Sequence, residues 1–125
     1  MKRAEGCVLV VDDDPIIRAT VRLALEDEGC EVREAAHGEE ALAFLREELP
    51  DVILLDMRMP VLDGWGFARE YRLRPGPHAP IIVVTATNEP HVWGEQVGAD
   101  AVIAKPFEIA DFLDVVSRFM PCVPG

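Results

Sequence analysis

The residues best suited to chemistry are few and far apart: Asp12 with Asp13, then Asp56, Thr85 and Lys105. Each stands at the end of an apolar run. Val8-Leu9-Val10-Val11 leads into Asp12, Val52-Ile53-Leu54-Leu55 into Asp56, Ile81-Ile82-Val83-Val84 into Thr85, and Ala101-Val102-Ile103-Ala104 into Lys105. Three carboxylates brought to one crevice repel one another, and either one stays protonated or a cation joins them. With no His or Cys beside them, the ligands are all oxygen. That suits a hard divalent ion which keeps several waters, Mg²⁺ (or Mn²⁺ in its place) rather than zinc. Lys105 adds an ammonium and Thr85 a hydroxyl donor, and together the set has the makings of a phosphoryl-transfer site. Asp56 is the candidate carboxylate nucleophile, with Asp12 and Asp13 holding the metal that bridges the attacking and transferred oxygens.

These side chains meet only if the apolar runs are neighbouring strands. Five such runs alternate with amphipathic stretches: Cys7–Val11, Glu31–Ala35, Val52–Leu55, Pro80–Thr85 and Ala101–Ala104. Four are nearly continuous Val/Ile/Leu, as in strands covered on both faces, whereas the second alternates polar and apolar and reads as an edge. The first helix starts at Asp14-Pro15, repeats Ile17, Val21 and Leu25, and stops at Gly29. A second is expected from about Glu39 to Leu49, with Leu42, Leu45 and Leu49 on one face and Pro50 as its stop. A third starts near Asp63-Gly64 and buries Phe67 and Tyr71. The fourth opens at Glu89-Pro90, is interrupted by Gly94 and closes at Gly98. The fifth is expected over Phe107 to Met120, with Ile109, Phe112, Val116 and Phe119 inward. The pattern predicts an α/β fold: a doubly wound, five-stranded parallel sheet with five helices and its ligand site at the carboxyl ends of the strands.

At 125 residues the chain has the size of one domain, expected to span 1–125 with its core at about 5–120. A net charge of −11 disfavours nucleic-acid backbones and anionic membranes as partners of this domain. Residues 1–6 lack the apolar stretch of a signal peptide, and no run approaches the length of a membrane span. Cys7, Cys30 and Cys122 form no CxxC pair. Free thiols in a reducing cytoplasm are the expectation, with a Cys7–Cys30 bridge the conceivable exception. His37, His78 and His91 are scattered, and Trp65 and Trp93 read as packing residues rather than stacking surfaces for a ligand.

Four blocks in order, Val10-Val11-Asp12-Asp13-Asp14, Leu54-Leu55-Asp56-Met57-Arg58-Met59-Pro60-Val61-Leu62-Asp63-Gly64, Val84-Thr85-Ala86 and Ala104-Lys105-Pro106-Phe107, closely resemble the receiver domain of bacterial two-component response regulators. The resemblance implies a flavodoxin-like strand order 2-1-3-4-5 and phosphorylation of Asp56 by a histidine kinase, a phosphotransfer protein or a small phosphodonor. Asp13 is then a direct Mg²⁺ ligand, Asp12 one acting partly through water, and the Arg58 backbone carbonyl a third. Thr85 and Lys105 contact the phosphoryl oxygens, small Ala86 leaves them room, and the Lys105–Pro106 bond is cis. The domain would catalyse its own phosphorylation and dephosphorylation and pass the signal to a protein target.

Two features depart from the family pattern. Val102 stands where receivers usually carry an aromatic ring that follows the threonine inward. The interval from Thr85 to Lys105 is also about two residues short, which predicts a short, mobile fourth helix. Arg58 and Thr87 flank the path of water to the phosphate, and the Arg58 guanidinium either pairs with the phosphate or points to solvent. Three readings compete: a phosphorylatable receiver, a degenerate receiver acting as a phosphorylation-independent binding module, and the receiver fragment of a larger regulator or hybrid kinase. A haloacid-dehalogenase-type phosphatase would need a second Asp two residues after the nucleophile, where Arg58 stands.

Overall fold

The computed structural model describes residues 2–123, so Met1 of the chain start considered above lies outside the described residues. Five strands form one parallel sheet in the order β2-β1-β3-β4-β5: β1 Lys2–Val11, β2 Glu31–Ala35, β3 Glu48–Leu55, β4 Ile81–Thr85 and β5 Ala101–Ala104. Between and after them run α1 Pro15–Asp27, α2 Gly38–Phe44, α3 Gly64–Leu73, α4 Pro90–Val97 and α5 Ile109–Ser117. The expected fold and strand order are those observed. Alternate side chains of the central strands feed two cores: Leu9, Val11, Ile53 and Leu55 pack against Phe67 and Tyr71, while Val8, Val10, Leu54 and Val84 pack against Leu25, Phe112 and Val116. Among the described residues no helix is long and apolar enough to cross a membrane.

Several boundaries differ from expectation, and β1 starts at Lys2 rather than Cys7. The second helix ends at Phe44, and Leu49 and Pro50 belong to β3. Leu42, Leu45 and Leu49 are all buried as their spacing suggested, but Leu49 reaches the core from a strand. Pro50 pairs with Ala4 in this central strand, directly beside the irregularity where the β1–β3 register shifts between Ala4 and Val8, the kind of place at which a strand accommodates proline. The fifth helix is shorter than expected, so Ile109 at its start is exposed and Phe119, half-buried, lies beyond its end.

The cysteines also differ. Cys30, at the entry to β2, is disulfide-bonded to Cys122 after α5, with Cα atoms 5.6 Å apart, while Cys7 is the free thiol and is buried. Free thiols at Cys30 and Cys122, and a Cys7–Cys30 bridge, are therefore both overturned. Cys7 sits on β1 opposite Glu31, whereas Cys30 packs in the core beneath α1 and α5, where Cys122 comes to meet it.

The fourth helix forms without a break at Gly94. A Cβ on Gly94 would lie 2.4 Å from Cγ2 of Val102 on β5, so this glycine lets the helix press directly onto the sheet. At the other end Gly98 is left-handed at φ +64°, and Arg72 of α3 caps the helix by donating from Nε to the Val97 carbonyl (3.1 Å) and from Nη2 to that of Gly98 (2.8 Å). Arg74 does the same for α2, donating from Nη1 to the Leu42 carbonyl at 2.8 Å.

Two outcomes follow from this packing. Replacing an interior helical glycine by alanine ordinarily stabilises, by about 0.5–1 kcal/mol. Gly94→Ala should instead destabilise by about 1–3 kcal/mol through overpacking, with Val102→Ala relieving part of the loss in the double variant, as read by urea unfolding. Because 92 residues separate Cys30 from Cys122, Cys122→Ser should lower stability by about 2–4 kcal/mol, and reductant should do the same to the wild type but not to the variant.

Candidate functional site

The strands end level with one another, and that alignment builds the site. In register, Val11 pairs with Ala35 and Leu55, Leu55 with Val83, and Thr85 with Ala104. The ladder runs one residue further at each exit: Asp12 N–H donates to the Ala35 carbonyl (3.1 Å), Asp56 N–H to that of Val11 (2.9 Å), and Lys105 N–H to that of Thr85 (3.0 Å). The backbone thus fixes Asp12, Asp56 and Lys105 before their side chains are considered. Asp12 is 3% exposed, Asp56 7% and Thr85 1%, so three polar side chains sit at the buried lip of the sheet, while Asp13 is exposed beside them.

One carboxylate oxygen from each of Asp12, Asp13 and Asp56 lies within 4.8 Å of the other two. Lys105 Nζ donates to Asp12 Oδ2 at 2.7 Å and stands 3.7 Å from Asp56 Oδ1. Asp12 Oδ1 accepts from the Asp14 N–H, and Asp56 Oδ1 from the Met57 N–H, each at 2.9 Å. Arg18 Nη1 donates to the Asp12 carbonyl at 2.7 Å and anchors the turn to α1. Burial, and next the negative charge of Asp12, push the Asp56 carboxyl up to about 6; Lys105 and the Met57 N–H oppose them only in part. One ammonium does not balance three carboxylates, and a hard cation held by oxygen fits the donor set that remains.

The loop after β3 is shaped to present Asp56. Asp63 caps α3 by accepting from the Gly66 N–H (2.8 Å), and Gly64 N–H donates to the Met57 carbonyl (2.8 Å). A Cβ on Gly64 would lie 2.7 Å from Met57 Cα, so only glycine permits that approach. Val61 takes a left-handed φ of +72°, an outlier for a β-branched residue, and is exposed. Beside Asp13 the loop borders a cleft of about 390 Å³ lined by Met57, Arg58, Met59, Pro60, Asp63 and Trp65.

All of the expected side chains, Asp12, Asp13, Asp56, Thr85 and Lys105, come to this edge. The Lys105–Pro106 bond is cis. Ala86 is exposed at the exit of β4, and Thr87 is half-exposed with its Oγ1 accepting from the Glu89 N–H at 3.2 Å. Val102 lies away from the lip, on the β5 face that Gly94 covers. Arg58 is exposed, and beyond its two expected positions it has a neighbour the sequence did not suggest. Its guanidinium carbon stands 5.1 Å from the centroid of the Trp93 ring on α4, and Trp93 meets Trp65 of α3 edge-on at 4.9 Å. Trp65 and Trp93 do pack, as expected, but the arginine above them escaped the sequence, because 35 positions separate Arg58 from Trp93.

Comparisons with known proteins agree with the geometry. A model of the response regulator receiver domain family matches residues 8–117. The probable transcriptional regulator ycf27 of Porphyra purpurea is 41% identical over 109 residues, which is 86% of this chain but 44% of that protein, so the chain spans less than half of its relative's length. The chemotaxis response regulator CheY4 of Vibrio cholerae superposes with a TM-score of 0.84 at 36% identity, covering 94% of this chain and 100% of the other. The receiver domain of sensor histidine kinase PA1611 from Pseudomonas aeruginosa, solved with a magnesium ion coordinated in its active-site cleft, gives 0.82 at 33% identity over 93% and 98%. With the fold, the strand-end residues and the matched span in accord, the chain belongs to the response regulator receiver domain family.

Proposed function

We propose that the chain, as a single receiver domain, takes a phosphoryl group onto Asp56 in a Mg²⁺-dependent reaction. The observation that carries the reading is the meeting of Asp12, Asp13 and Asp56 within 4.8 Å with Lys105 beside two of them. An Asp56 oxygen attacks phosphorus, and the bond from phosphorus to the donor breaks. The donor is a phosphohistidine, whose imidazole leaves with a proton, or an acyl phosphate, whose carboxylate leaves. Water later attacks the acyl phosphate so formed, releasing inorganic phosphate and restoring the Asp56 carboxylate.

The Met57 N–H fixes the orientation of the attacking carboxylate. Lys105 is held by Asp12 within reach of Asp56, where its ammonium can neutralise charge gathering on the phosphoryl oxygens, and Thr85 supplies a hydroxyl donor at the same lip. Asp12, Asp13, Asp56 and the Arg58 carbonyl are the groups that would hold Mg²⁺, or Mn²⁺ in its place. The ion, when bound, offsets the mutual repulsion of the carboxylates and of the incoming phosphoryl group.

The partners are then a histidine kinase or phosphotransfer protein upstream and a protein target downstream, with no nucleic acid or membrane bound by this domain. A cytoplasmic setting rests on the family alone, since the Cys30–Cys122 bond removes the cysteine argument for it. Relatives that are longer regulators keep open the reading of the chain as the receiver portion of a larger protein.

Mixing the protein with acetyl phosphate and Mg²⁺ should add about 80 Da to its intact mass, the weight of one phosphoryl group, with no gain in Asp56→Ala. An unmodified wild type would favour a phosphorylation-independent binding module instead. The raised Asp56 carboxyl makes a second outcome. Its folded value of about 6 exceeds the ordinary 3.8, so its contribution to stability is full below pH 3.8 and is lost as pH rises through 6. Without metal, Asp56→Asn should therefore be more stable than the wild type at pH 7 by about 2–3 kcal/mol and lose that advantage near pH 4, as read by urea unfolding. Adding Mg²⁺ at pH 7 should narrow the gap from the wild-type side.

A further inference from the structure

Arg58 lines the same cleft as Asp13, two residues beyond Asp56, yet pairs with no carboxylate among the described residues. Its guanidinium lies over the Trp93 ring instead. Trp93 is not free to follow it. It meets Trp65 of α3 edge to face, and Trp65 is in turn fixed to α4 by donating from Nε1 to Gln96 Oε1 at 2.8 Å. Next along α4, Gly94 is pressed onto Val102. The loop that carries Arg58 is strained three residues on, at Val61, the kind of backbone cost that accompanies a segment with two arrangements.

We infer that Arg58 is shared between Trp93 and an anion on Asp56, so that phosphoryl occupancy of the cleft is reported to α4 by loss of the Arg58–Trp93 stack. The inference rests on the reading of Asp56 as the acceptor. A guanidinium stacked on a partly exposed indole gains less than one making paired, charge-assisted bonds to phosphoryl oxygens. While Asp56 is an unmodified, buried carboxylate already engaged by Lys105 and the Met57 N–H, the ring holds Arg58. Once a phosphoryl group projects from Asp56 towards the cleft, the balance reverses, and α4 loses a contact at Trp93, the residue next to its seat on β5. The report needs no aromatic ring at Val102.

Amide exchange over residues 90–97, read with intact mass on the same samples of wild-type protein with and without acetyl phosphate and Mg²⁺, tests this. Appearance of the adduct should speed exchange in α4 about two- to fivefold, the equivalent of losing one exposed cation–π contact. Trp93→Leu should show the faster exchange from the start and no further change when the adduct forms. A purely structural Trp93 would leave the donor-dependent change in place, and that result would overturn the inference. Trp93→Phe keeps a weaker ring and should keep a smaller donor-dependent change. If Trp93→Leu proves unfolded by its thermal transition, this variant decides, and an undiminished change counts against the inference. Equal exchange in the two states of an adduct-bearing wild type overturns the inference alone. No adduct at all overturns the Asp56 reading and the inference with it.

Discussion

Asp12 and Asp56 are two buried carboxylates at adjacent strand exits, with Asp13 beside them and one ammonium in reach. Folding gains nothing from crowding like charges out of water, and the cost must be carried by the rest of the molecule. The sheet carries it. Three runs of Val, Ile and Leu in β1, β3 and β4, buried on both faces, hold the exits level, and backbone bonds one residue past the strands pin Asp12, Asp56 and Lys105 in place. A rigid apolar scaffold with a charge-frustrated rim gives the rim a standing affinity for whatever supplies positive charge or removes negative charge.

The site was legible in the sequence because each of its residues is announced by the strand before it. Asp12, Asp56, Thr85 and Lys105 required only that the apolar runs be parallel neighbours, and alternation with helices already demanded that. The end of α2 was not legible. Leu42, Leu45 and Leu49 keep helical spacing and are all buried, but the same core accepts Leu49 from β3, so periodicity could not mark where helix became strand. The Cys30–Cys122 bond and the Arg58–Trp93 stack escaped for another reason. Both join residues far apart in the chain whose encounter depends on how helices sit on the sheet.

Gly94 shows how a local rule can mislead. By propensity it weakens a helix, yet in the fold it is the one residue type that lets α4 touch Val102. Read separately, a glycine in the helix and a valine in the strand each look like a loss. Read together, they are the two halves of one close contact.

The guanidinium of Arg72 grips the carbonyls of Val97 and Gly98 from α3, at the C-terminal end of α4, about one turn beyond Trp93. That grip does not depend on Arg58 or on the cleft. Were the Arg58 contact at mid-helix Trp93 given up, the Arg72 grip and the seat of Gly94 on Val102 would still hold the second half of α4. The freedom gained would then fall on the first turn, at Pro90 and His91, which would tilt about the held end as a door leaf does about its hinge.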